Sequence, residues 1–187
     1  MKDLNKTIAV LKKGGVIIVP TDTVYGFIAD VTNKKAVEKI YKIKKRPKSK
    51  PLPIFVSGVK MAGEIAEVDQ RALKMFKKYW PGPYTFVLKA KSYNLKAQKT
   101  IALRMPKDTF LLKLLKKYNK PLVQTSANIS GQEPLKNAEQ IMTTFGKSKL
   151  VGLIITSSKA RAPSTGSGQA RPSKIIDLTG KTLTRIR

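Results

Sequence analysis

A chain of 187 residues with 38 lysines and arginines against 11 acidic residues carries a formal net charge of +27 and has the length of one domain built on a single core. It contains no cysteine, which excludes disulfides, zinc ribbons, iron-sulfur clusters and thiol nucleophiles, and no histidine, which excludes Ser-His-Asp triads and imidazole metal sites. The charge points to anionic partners such as nucleotides, nucleic acid or acidic surfaces, against the alternative that the lysines simply solvate helix faces.

Leu4, Ile8, Val10 and Leu11 share one face of a short amphipathic helix over Met1 to Lys13, which Gly14-Gly15 ends. This segment lacks the charged, apolar and small-residue succession of a secretory leader, and no apolar run approaches the roughly 20 residues of a membrane span. A soluble, cytoplasmic protein with no membrane contact is expected. Val16 to Val19 is an apolar run of strand length that stops at Pro20 and opens into Thr21-Asp22-Thr23-Val24-Tyr25-Gly26. A buried strand ending in such a polar turn delivers side chains to a site, although Thr21, Asp22 and Thr23 could equally cap a short helix starting near Val24.

Asn33 caps a helix with apolar positions Ala36, Val37, Ile40, Tyr41 and Ile43 that runs toward Pro47 and carries Lys44 and Arg46 at its C-terminal end. Ile54-Phe55-Val56 reads as a short strand and Met61 to Ala66 as a helix; Asp69 caps another helix through Tyr79, ended by Trp80-Pro81-Gly82-Pro83. Thr85 to Leu88 and Ile101 to Met105 read as strands, and Asp108 caps a helix containing Leu111, Leu112, Leu114 and Leu115. Leu122-Val123 leads into Thr125-Ser126-Ala127-Asn128-Ile129-Ser130-Gly131, followed by a helix near Ala138 to Phe145 and a strand over Leu150 to Thr156. The segment 157–173, rich in Ser, Gly, Ala, Pro and Arg, is expected to be a flexible loop or lid, after which Ile175-Ile176-Asp177-Leu178 and the last residues regain apolar character. Helices alternating with strands predict an α/β layered domain spanning 1–187 with a substantially covered sheet.

The loops differ in chemistry. Lys44, Arg46 and Lys50, bracketed by Pro47 and Pro51, offer a guanidinium fork and point charges to phosphate oxygens; a solvated helix end has the same composition. The Ser-Ala-Asn loop offers hydroxyls, an amide and, through Gly131, close backbone approach to an anion, or simply a turn with local hydrogen bonds. Gly146-Lys147-Ser148 is no P-loop, because Ile141 stands where its first glycine is required.

Taken together and in order, the heptad at 20–26, Lys44-x-Arg46-Pro47 with Lys50-Pro51-Leu52, Trp80-Pro81-Gly82-Pro83, Arg104-x-Pro106 and Ser126-Ala127-Asn128-x-Ser130-Gly131 resemble the YrdC-like domain of threonylcarbamoyl-AMP synthases, of the short single-domain type. The resemblance implies an open, twisted, mixed α/β sheet flanked by helices, with a positively charged concave face. It also implies a nucleotidyltransferase that converts L-threonine, bicarbonate and ATP, with Mg²⁺, to L-threonylcarbamoyladenylate and pyrophosphate. A separate transferase then carries the group to adenosine in tRNA. Carried over by position, Lys44, Arg46 and Lys50 would meet the phosphates, Ser126, Asn128 and Arg185 would bind ATP, and Thr23, Arg104 and Ser173 would bind threonine. No metal ligand is assigned. Departures are Lys174 after Ser173, an unusual composition at 165–168, and Phe55 where some longer members have a histidine. The competing function is a structured-RNA (tRNA or rRNA) binder that holds backbone phosphates on the same basic face.

Overall fold

The computed structural model describes residues 2–91, 99–135, 137–156, 172–180, 182 and 184–186. The segment expected to form a lid lies outside the described residues, except for Pro172 and Ser173. In chain order the elements are α1 (Lys2–Lys12), β1 (Val16–Val19), β2 (Gly26–Asp30), α2 (Lys34–Lys44), β3 (Ile54–Phe55), α3 (Val59–Ile65), α4 (Gln70–Tyr79), β4 (Tyr84–Lys89), β5 (Thr100–Arg104), α5 (Thr109–Tyr118), β6 (Leu122–Ser126), α6 (Ala138–Phe145), β7 (Val151–Ile154), β8 (Lys174–Asp177) and β9 (Thr184–Arg185). The three expected caps are in place: Asn33, Asp69 and Asp108 accept from the backbone N–H of Ala36, Ala72 and Leu111 at 3.0, 2.7 and 2.8 Å.

One nine-stranded mixed sheet runs through the described residues in the order β7-β1-β2-β6-β3-β5-β4-β8-β9. Strand parity sorts the apolar residues onto its two faces. Val16 and Ile18 of β1 and Phe27 and Ala29 of β2 join a cluster with Ile40 of α2, Ala62 of α3, Phe76 of α4 and Phe145 of α6. Ile17, Val19 and Ile28 point the other way and pack with Leu11 of α1 and with Leu111, Leu114 and Leu115 of α5. β1 and β2 are therefore buried on both sides, and their burial pattern is uninterrupted.

Among the described residues, the helices of the second face cover only half its width. No residue of β4, β5 or β8 belongs to the cluster under α1 and α5. On these strands Phe86, Leu88, Ile101 and Leu103 are buried against the four-helix side, whereas the alternating Val87, Ala102 and Ile175 are only half-buried. Val87 pairs with Ala102, and Thr85 with Ile175, so these small or branched side chains form a continuous strip of sheet that no described helix covers.

Candidate active site

A cavity of about 590 Å³ sits on that strip. Val87, Ala102 and Ile175 form its apolar floor, and Arg46, Lys50 and Arg104 bring three cations to it. No carboxylate lines it among the described residues.

The heptad loop forms one wall. Thr21 makes it a turn and not a helix cap: its hydroxyl donates to Val24 O at 2.7 Å and accepts from the N–H of Thr23 and Val24 at 3.0 and 3.2 Å. The chain then enters β2, where Gly26 lies so close to its neighbour that an added Cβ would stand 3.2 Å from Gln124 Nε2 and 3.3 Å from Thr125 O. Thr23 lines the cavity and accepts from Arg104 Nη1 at 3.2 Å. Arg104 is 2% exposed, donates from Nε to Gly82 O at 3.0 Å, and forms a 2.7 Å ion pair with Asp22. Burial pulls its pKa down and Asp22 opposes that shift.

The Ser-Ala-Asn loop is stitched to two neighbours. Ala127 N donates to Tyr25 O at 2.7 Å, tying it to the heptad, and Ser130 N donates to Lys44 O at 2.8 Å, tying it to the end of α2. Lys44 repeats that second tie with its side chain. Its ammonium, 2% exposed, donates to Ser126 O at 2.6 Å, Asn128 O at 2.9 Å and Asn128 Oδ1 at 3.0 Å. Burial, with a smaller contribution from the positive charge of Arg46, lowers its pKa to about 8. Asn128 Oδ1 also accepts from Ser126 Oγ at 2.6 Å, and its Nδ2 donates to Ile129 O and Gln132 O at 3.0 and 2.6 Å.

The structure thus divides the expected site residues. Arg46, Lys50, Thr23, Arg104, Ser126, Asn128 and Ser173 all line the cavity. Ser173 Oγ stands 3.0 Å from Thr85 Oγ1. Lys44, expected at the phosphates, does not line the cavity; it lies beneath the Ser-Ala-Asn loop with its three protons engaged there. Arg185, expected at ATP, is also absent from the wall. It pairs with Ile176, whose side chain packs into the four-helix face, so strand parity directs Arg185 away from the cavity while the next residue, Ile186, lines it. Arg46 lines the cavity while bracing its own loop, with Nε on Lys50 O at 3.0 Å and Nη2 on Pro51 O at 3.1 Å.

Sequence reasoning missed the apolar floor and the part played by Asp22. The alternation of large with small residues at 101–104 carried a signal for the floor.

The family model Sua5/YciO/YrdC, whose description reads "Telomere recombination", matches residues 9–187. The chain belongs to this family. Threonylcarbamoyl-AMP synthase of Vibrio vulnificus is 31% identical over 153 residues, covering 78% of this chain and 82% of that protein. The Aliivibrio fischeri protein of the same name is 29% identical over 191 residues, covering 98% of each. Among solved structures, P. abyssi Sua5 complexed with L-threonine matches with a TM-score of 0.85 at 29% identity, over 100% of this chain. The chain spans 54% of the length of that protein. E. coli YciO matches with a TM-score of 0.84 at 28% identity, over 100% of this chain and 88% of its own. The open mixed sheet is the family's fold. No helix among the described residues is long and apolar enough to cross a membrane.

Proposed function

We propose that the chain is a threonylcarbamoyl-AMP synthase acting in N6-threonylcarbamoyl modification of tRNA. The observation that carries this reading is the match, along most of their length, to relatives bearing that name. The cavity gives it physical content. Arg46 and Lys50 suit phosphate oxygens, Arg104 suits a carboxylate, and the apolar floor suits the uncharged parts of the substrates.

The chemistry fits a site without histidine or cysteine. The amine of L-threonine and bicarbonate give a carbamate and water; a carbamate oxygen attacks the α-phosphorus of ATP, the bond to the bridging oxygen breaks, and pyrophosphate leaves. No enzyme nucleophile forms a bond. The protein's task is to overcome charge repulsion and align the reactants, which fixed guanidinium and ammonium groups accomplish by stabilising charge on the departing pyrophosphate. A cavity wall without carboxylates offers Mg²⁺ no cage of its own, and no cluster of three or more His, Cys, Asp or Glu suited to a metal occurs among the described residues. Mg²⁺ would enter with the ATP phosphates, and Lys50 and Arg46 would share with it the neutralisation of their charge. Domain extent 1–187, cytoplasmic location and hand-over of the product to a separate tRNA-modifying transferase complete the reading.

The test is pyrophosphate release from MgATP with threonine and bicarbonate each present or omitted, and a mass measurement of the adenylate product. Release that needs both supports the proposal. Absence of release, with salt-sensitive tRNA binding in its place, would overturn it in favour of an RNA binder.

A further inference from the structure

Arg104 carries five N–H donors, and its fixed hydrogen bonds account for two, Nε on Gly82 O and one Nη1 proton on Thr23 Oγ1, while the buried Nη2 meets Asp22 Oδ1 as a 2.7 Å ion pair. The guanidinium plane is further set by Phe55, whose ring centroid lies 5.6 Å from Cζ. The second Nη1 proton is left for the cavity that Arg104 lines, whereas Nη2 is buried on the Asp22 side. A charged donor on a guanidinium locked in this way suits a carboxylate oxygen.

Asp22 does not line the cavity, yet both its oxygens are engaged at this corner. Oδ1 pairs with Arg104 Nη2 at 2.7 Å, and Oδ2 accepts from Lys107 N at 3.1 Å. It therefore ties the heptad loop to the end of β5 and to the chain after it. It also supplies the single negative charge against a guanidinium that is 2% exposed. Leaving such a cation without its partner carries the penalty of an uncompensated buried charge.

We propose that Asp22 is a positioning residue for the amino-acid end of the reaction: it fixes the Arg104 fork, and with it Thr23, so that the substrate carboxylate is read in one orientation. This rests on the synthase reading above. The requirement is for two acceptors, not only for charge. Asparagine has the same shape but one acceptor oxygen, so its NH₂ must oppose either Arg104 Nη2 or Lys107 N–H, and one tie is lost.

The experiment uses the full chain in steady-state pyrophosphate release, with Asp22→Asn as the main variant and Asp22→Ala as the second. Asp22→Asn is expected to raise the KM for L-threonine about tenfold and Asp22→Ala about 30-fold or more, both with the KM for ATP within about threefold of wild type. A purely structural role would lower the folded fraction without splitting the two KM values, so melting curves accompany the kinetics. If Asp22→Ala fails to fold, the isosteric Asp22→Asn decides the matter. Unchanged threonine KM in Asp22→Asn, or equal rises in both KM values, would overturn the inference while leaving the synthase reading intact. A wild-type protein without threonine-dependent turnover would overturn both.

Discussion

Replacing Lys44 by methionine separates what this lysine does for the fold from what it does for the reaction. Methionine fills much of the same volume but donates nothing. Of the three acceptors lost to it, Ser126 O keeps a bond from Asn128 N at 3.0 Å and Asn128 Oδ1 keeps one from Ser126 Oγ at 2.6 Å, while Asn128 O loses its donor. One orphaned carbonyl costs about 1–3 kcal/mol. Against this, the buried ammonium is itself costly: its fall from 10.5 to about 8 corresponds to roughly 3 kcal/mol that the variant no longer bears at neutral pH. The two effects nearly offset, and stability is expected to stay within about 2 kcal/mol of wild type. Turnover is not protected in this way. The Ser126 to Asn128 backbone forms part of the cavity wall, and a displacement of about 1 Å there is worth about 100-fold in rate. The measurements are pyrophosphate release under saturating threonine, bicarbonate and MgATP, and a urea unfolding curve. A Lys44→Met protein within about threefold of wild-type kcat/KM would refute the argument that this lysine organises the loop.

Arg46→Ala is expected to lower turnover about 100-fold in the same assay, and Arg46→Lys to recover little of it, since a lysine keeps the charge but loses the fork that braces the Lys50 and Pro51 carbonyls. Arg185→Ala should remain within about twofold of wild-type turnover, because its strand register points it away from the cavity. For wild type compared with Lys44→Met, stability should diverge with pH: below about 8 both folded and unfolded wild type hold the proton, whereas between about 8 and 10.5 only the unfolded chain does. Wild-type stability should therefore rise through that window relative to the variant, as equilibrium unfolding at pH 7, 8, 9 and 10 would report. Gly26→Ala is expected to destabilise by about 1–3 kcal/mol, because its Cβ meets the Thr125 backbone oxygen and Gln124, and its unfolding midpoint measures this.

Local signals carried through to the structure where they were strong. The caps at Asn33, Asp69 and Asp108 each bond as the sequence pattern requires, and the uninterrupted apolar run at 16–19 is a strand buried on both faces. The strand β2 was not legible. Its first residue, Gly26, closes a motif that reads as a turn, and in five residues buried on both faces no period-two alternation can appear. Strand order was equally out of reach, because neighbours such as β2 and β6 are separated by about 100 residues of chain and their pairing is decided by packing, not by local preference. The site loops were legible as a set, but charge alone misplaced Lys44. A lysine in a run with Lys45, Arg46 and Lys48 looks solvated; only the fold reveals that it alone turns under the Ser-Ala-Asn loop and is buried.

That burial has a chemical consequence for the proposed reaction, in which the threonine amine combines with bicarbonate. An amine with a pKa near 8 has a substantial neutral fraction at ordinary pH, and a neutral amine open to the cavity would be subject to the same carbamate formation as the amine of the proposed threonine substrate. Lys44 stands outside the cavity wall, and its nitrogen faces three oxygen acceptors of the loop. It can lend its protons to the architecture without offering a lone pair to the reactants. Arg46 and Arg104, which do line the cavity, are guanidinium groups that keep their protons and make poor nucleophiles. The division between a buried lysine that holds the loop and guanidinium groups that line the cavity thus keeps the lysine of lowered pKa away from the proposed substrates.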